Sequence, residues 1–253
     1  MKILRYLLGL SLMCCINISA TADTVETDEE SFKEKFNITW PDDKHPATSG
    51  IKEFDEYVAH CDTLMDSLKV YVNKITWYKV SRIKVVNEDN SVSEILAVVD
   101  ENGTVRNSSL ALRQYIDMIS SGLSLTGGGV TISTTTAAAT SALAKKGLKG
   151  LKYAKYMVVG PKLVKACGDG LLNIINNCRK QATAIRALKN NFNENGELIN
   201  PELKLDEIEG LDFNSLPTVE KTKDQLTAEF EAAVNEGAGA EISDEEIDSL
   251  LNG

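Results

Sequence analysis

Ile51, Phe54, Val58, Cys61, Met65, Leu68, Val72 and Ile75 recur at alternating steps of three and four. That spacing lays eight apolar side chains along one seam of a helix of about seven turns. Such a seam cannot stay in water, so other helices must cover it. The expected fold is therefore mainly α: a bundle of three to four long helices.

After Ile75 the period falls to two. "WYKVSRIKVV" alternates, "NEDN" is a turn cluster, "SVSEILAVVD" is rich in Val, Ile and Leu, and "ENGT" precedes a short segment near Val105. A small antiparallel β-hairpin, at about residues 77–106, is expected here as an insertion leaning on the helices. Helical spacing resumes at Leu110, Leu112, Tyr115, Ile116 and Ile119.

From Met118 to Ala144 there is no charged residue: of 27 positions, twelve are apolar, four Gly and eleven Ser or Thr. A bilayer span is disfavoured, because eleven hydroxyls and a Gly triplet keep the mean hydropathy low. A phosphate loop is disfavoured too, since no Gly-Lys-Ser or Gly-Lys-Thr follows the glycines. Ser124 lacks the second glycine of a nucleophile elbow, which Thr126 replaces. The expectation is a turn at Gly127 to Gly129 between two helices whose contact face is small: Ser133, Ala137 and Ser141, with Ala138 and Ala142. The lysines that follow would occupy an outer face. Leu123, Leu125, Val130, Ile132, Lys145, Lys146, Lys149 and Lys152 are the candidate contact residues for a partner or a membrane.

Gly160 and Pro161 suggest one helix ending and another beginning. Val164, Cys167, Leu171, Ile174, Cys178, Ala182, Ile185 and Leu188 form a third apolar stripe, with Gly168 and Gly170 marking a kink or break. Cys61, Cys167 and Cys178 all fall on apolar stripes and read as core thiols. A bridge from Cys61 to Cys167 or Cys178 is the other arrangement. Cys167 and Cys178 would lie about 16 Å apart along one helix, too far to join each other.

"NFNENGELINPEL" matches a calcium-loop spacing, with Asn191, Asn193 and Asn195 at positions one, three and five, Gly196 at six and Glu202 at twelve. A helix end at Asn-Gly followed by Asn200-Pro201 explains the same residues, and no metal is assigned. Beyond it, Val219, Leu226, Phe230 and Val234 make a modest stripe, and Ser243 with Glu246 forms a capping box before a last short helix.

Charge and leader set the context. Lys2 and Arg5 precede an apolar run, Tyr6 to Ile18, and Ala20-Thr21-Ala22 offers a cleavage site, so residues 1–22 read as a secretory signal. Lipid anchoring at Cys14 or Cys15 is the lesser variant, because its cleavage motif is poor. An acidic segment and linker, 23–50, precede the helical domain, 51–192, and an acidic, partly helical C-terminal tail, 193–253. Residues 145–192 hold eleven Lys/Arg against the single Asp169, while 193–253 hold seventeen acids and three lysines. Such a tail can neutralise the basic helices of its own chain.

No catalytic residue, cofactor or small-molecule substrate is assigned. His45 lies in the linker, and His60 is about 100° round the helix from Cys61, so the two do not form a nucleophile-base pair. Nucleic acid is excluded as a partner by the export signal and by the scarcity of aromatic residues among the lysines. The expected function is that of an exported, periplasmic or secreted, non-enzymatic interaction or scaffold module with a protein partner. The alternative is a membrane-active protein that meets an anionic surface through the 118–144 hairpin and its lysines.

Overall fold

The structure, a computed structural model, describes residues 36–86, 91–193, 198–200, 202–204, 207–237 and 242–251. The leader at 1–22 with Cys14 and Cys15, residues 23–35 of the acidic segment and the turn cluster Asn87–Asn90 lie outside these residues. Among the described residues the chain is mainly helical with a small three-stranded sheet. It forms two compact units, each from two stretches: the described parts of Met1–Lys74 with Gly122–Asn173, and those of Ile75–Ser121 with Ile174–Gly253.

In the first unit, helix α1 (Lys52–Asn73) buries Phe54, Tyr57, Val58, Cys61, Leu64, Leu68, Tyr71 and Val72. The seam read from the sequence is thus the buried face, widened by Tyr57, Leu64 and Tyr71. Met65 and Ile75 are half-exposed. The Tyr57 hydroxyl accepts a hydrogen bond from the Gly160 N–H at 2.8 Å and donates to the Tyr156 carbonyl at 3.1 Å. Phe54 packs against Tyr153 with ring centroids 5.0 Å apart and the planes tilted by 42°.

The second unit holds strands β1 (Tyr78–Val86) and β2 (Val92–Asp100), which pair antiparallel from Tyr78↔Asp100 to Val86↔Val92. This is the expected hairpin. Val105 adds only an isolated bridge to Val99.

Helix α2 (Ser108–Lys145) runs unbroken for 38 residues. The expected turn at Gly127 to Gly129 is therefore corrected: the three glycines lie inside a helix. Each costs about 1 kcal/mol relative to Ala, which packing has to offset. A Cβ on Gly129 would come within 2.8 Å of the Cys167 Cβ, whereas one on Gly127 would meet nothing within 4 Å. Hydroxyls bond back along the helix, Thr136 to Ile132 at 2.6 Å and Thr140 to Thr136 at 2.8 Å, so their polarity is largely satisfied within it.

The chain turns some twenty residues later. Gly147 adopts φ 54°, ψ −127°, a conformation that favours glycine, and a short helical turn follows at Leu148–Leu151. Lys145, Lys149 and Lys152 consequently do not line one continuous helix. Gly160 and Pro161 both lie within helix α3 (Val159–Lys165) rather than between two helices. A five-residue π-helical turn, Ala166–Gly170, then leads without interruption into α4 (Leu171–Asn191), so Gly168 and Gly170, where a kink or break is expected, lie in a π turn of a continuous helix.

The third strand, β3 (Thr218–Thr222), comes from the acidic tail and pairs parallel with β1, giving the order β2-β1-β3. Helix α5 (Lys223–Glu236) covers one sheet face: Leu226 packs with Ile83, Val85, Ala97, Val99 and Val105, flanked by Ile95, Val219 and Phe230. The stripe Val219, Leu226, Phe230, Val234 is thus divided between a strand and a helix. Thr222 and Gln225 form a reciprocal capping box at the start of α5. The last helix, α6 (Asp244–Leu251), begins just after Ser243. It meets α4 through an Arg186 to Asp248 ion pair at 2.5 Å and a bond from Arg179 Nε to the Leu250 carbonyl at 3.1 Å, with Ile247 buried.

Candidate binding surfaces

The uncharged part of α2 is two-faced. Gly122, Gly129, Ile132, Ala139, Ala142 and Leu143 are buried, while Leu123, Ser124, Gly127, Val130, Ser133, Ala137, Ala138 and Ser141 are exposed. Of the small residues expected to pack, Ser133, Ala137, Ala138 and Ser141 therefore face outward and only Ala142 is buried, alongside Gly122, Gly129 and Ala139. Of the apolar candidates, Val130 is 69% and Leu123 39% exposed, Leu125 is half-buried, and Ile132 is buried. Lys145, Lys146, Lys149 and Lys152 are all exposed around the turn. Structure thus brings the four lysines together with Leu148, which is 86% exposed and which the candidate residues had not included.

A second surface, in the sheet unit, was not anticipated. An open groove of about 730 Å³ runs between β2 and α5, lined by Val85, Ser93, Ile95, Leu226, Phe230 and Val234, with Lys223 and Glu231 as its charged groups. One wall ends in a free strand edge. Arg82 of β1 donates its N–H to Pro217 on the β3 side, so the cross-strand partner Leu96 directs its own backbone groups away from β1. At the far end of β2 those outward groups are used, by the Arg106 N–H on the Val98 carbonyl at 2.9 Å and by the Asp100 N–H on the Thr104 carbonyl at 3.0 Å. Among the described residues, no chain segment pairs with the outer edge from Val92 to Leu96. The sequence signals were the Val-, Ile- and Leu-rich run "SVSEILAVVD" and the stripe of Val219, Leu226, Phe230 and Val234. They could not show that the two stand side by side.

Cys61, Cys167 and Cys178 are free and buried, so the alternative of a Cys61 bridge is corrected. Burial pushes the Cys61 and Cys178 thiols up to about 12 and the Cys167 thiol up to about 11. His45 Nε2 lies 2.8 Å from Asp62 Oδ2, and Trp40 Nε1 donates to the other oxygen of Asp62 at 2.8 Å, a polar clasp that holds the linker on α1. No group of three or more metal-ligating side chains occurs among the described residues. In the calcium-like stretch, Asn195 and Gly196 fall outside them. The Asn191 amide donates back to the Ala187 carbonyl at 2.8 Å, and Phe192 forms an isolated antiparallel bridge with Leu198. No helix among the described residues is long and apolar enough to cross a membrane.

No protein-family model, curated protein or solved structure matches the chain.

Proposed function

We propose that the chain is an exported, non-enzymatic interaction module that binds a protein partner as an extended strand. The observation that carries this reading is the outer edge of β2 from Val92 to Leu96, unpaired among the described residues, beside the apolar groove of Ile95, Leu226, Phe230 and Val234. An open ladder edge offers alternating N–H and C=O groups that only another backbone in β conformation satisfies in series, and the adjoining groove receives every second side chain of that strand. A second copy of this chain suits the edge poorly. An antiparallel pairing centred on the free stretch would set Glu94 directly opposite its own counterpart, and like charges at that position destabilise. The partner is thus a foreign peptide with alternate apolar residues. Export rests on the leader read at residues 1–22.

Peptide display on the full chain tests the proposal, with Phe230→Asp and Val234→Asp for counter-selection. Peptides with alternating apolar residues should be retained by the parent chain and lost by both variants. On binding, the amide hydrogens of Glu94 and Leu96 should gain protection from exchange. Peptides held equally by all three proteins, or protection confined to other segments, would remove the groove as the site.

A further inference from the structure

We propose that the turn from Lys145 to Lys152 is a docking tip for an anionic membrane surface, seating Leu148 among the lipid headgroups while the surrounding lysines hold the phosphates. This surface is independent of the strand groove and lies in the other unit.

Leu148 is the most exposed of the large apolar side chains among the described residues at 86%, and Leu151 beside it is 49% exposed. Neither exposure serves the fold. Lys145, Lys146, Lys149 and Lys152 are exposed around them, and among the described residues none of the four is paired with a carboxylate. Lys155, by contrast, is bound to Asp42 at 2.9 Å. From Met118 to Gly168 the sequence contains no acidic residue, so this stretch presents nothing that a negative surface would repel. Exposed cationic groups that flank exposed apolar side chains along one turn match the charge of anionic headgroups and the apolar layer just beneath them.

The tip is also built to hold its shape. The Gly150 N–H and the Leu151 N–H both donate to the Gly147 carbonyl at 3.0 Å. Gly150 lies so close to Leu143 that a Cβ would come within 2.1 Å of the Leu143 carbonyl oxygen, and the positive φ of Gly147 sets the chain's exit from α2. A turn already in its bound shape loses little conformational freedom on docking. Nucleic acid would engage the lysines but has no use for an exposed leucine.

The test is sedimentation of the full chain with vesicles of phosphatidylcholine alone or with about one third phosphatidylglycerol, a strongly anionic surface. Residues 1–22 are kept in every protein, so any contribution from them is common to all. Anionic vesicles should carry the protein down and neutral ones much less. Binding should fall as salt rises, since the screening length shrinks to about 3 Å at 1 M. Leu148→Ser should weaken partition about tenfold or more, and the double variant Lys146→Gln/Lys149→Gln about thirtyfold, with unchanged thermal unfolding because all three side chains are exposed. In a Leu148→Trp variant, indole emission should shift to the blue on anionic vesicles alone. Phe230→Asp should bind vesicles like the parent, which separates this outcome from that of the groove. Equal binding to both vesicle types, undiminished partition of Leu148→Ser, or an unshifted emission spectrum of Leu148→Trp overturns the proposal.

Discussion

Gly129 faces Cys167 so closely that a methyl group on the glycine would stand 2.8 Å from the cysteine Cβ. The two neighbouring glycines differ: Gly128 faces only the end of the Leu64 side chain, and Gly127 faces open space. Gly127→Ala should therefore stabilise the chain by about 0.5–1 kcal/mol through helix propensity and a less flexible unfolded state. Gly129→Ala should destabilise it by about 1–3 kcal/mol through overpacking. Urea unfolding of the two variants checks the contrast. Equal effects of the same sign would mean that α2 does not pack through Gly129.

The three thiols set a pH dependence. Folded, Cys61, Cys167 and Cys178 hold their protons to about 12, 11 and 12, because burial disfavours the thiolate. The unfolded chain releases the same protons near the ordinary thiol value of 9.0. The folded state thus binds more protons above that pH. Its thiol-linked stability is complete below pH about 9 and declines as pH rises toward the folded values, by up to about 1.4 kcal/mol per pH unit for each thiol. Burial raises Tyr57 and Tyr115 as well, which acts in the same direction. Urea midpoints should fall between about pH 9 and 11. At pH about 8, a maleimide should leave all three cysteines unlabelled until the chain is unfolded, with mass mapping as the readout.

Removing the Tyr57 hydroxyl should strand the Gly160 N–H, which it accepts in a buried position. Tyr57→Phe is expected to cost about 1–3 kcal/mol, the range for a buried donor left without its partner. Tm by circular dichroism provides the measurement. A change within error would indicate that water or another carbonyl takes over the bond.

Glu229 joins α5 to Val105, just past β2, and to β3. One oxygen accepts from the Val105 N–H at 2.7 Å, the other from Lys221 Nζ at 2.8 Å, and the Lys221 side chain is only 10% exposed. Glu229→Ala leaves that ammonium nearly buried without its partner, so a loss of about 3–5 kcal/mol is expected. The double variant Lys221→Met/Glu229→Leu should recover much of it, because no unpaired charge remains. Chemical denaturation of the single and double variants measures the coupling. Additive losses would show that the pair is not the joint.

The sequence by itself determined the periodic parts of this protein. The seam from Ile51 to Val72, the alternation on either side of Asn87–Asn90 and the stripe from Cys167 to Leu188 each carry their period in adjacent letters, and local sterics with one-sided burial turn that period into a helix or a strand. Tertiary structure alone decided the rest. Gly127 to Gly129 read as a turn because glycine breaks an isolated helix, yet Cys167 across the interface makes Gly129 a place of close approach, and α2 continues. The small residues of α2 look alike in letters; which of them are buried depends on what lies opposite. Thr218–Thr222 is too short and too polar to announce a strand, and it becomes one because β1 supplies a ladder from more than a hundred residues away. The groove beside β2 and the exposed Leu148 at the glycine turn have the same origin: local letters set what each segment prefers, while proximity, which no local pattern encodes, decides what each segment touches.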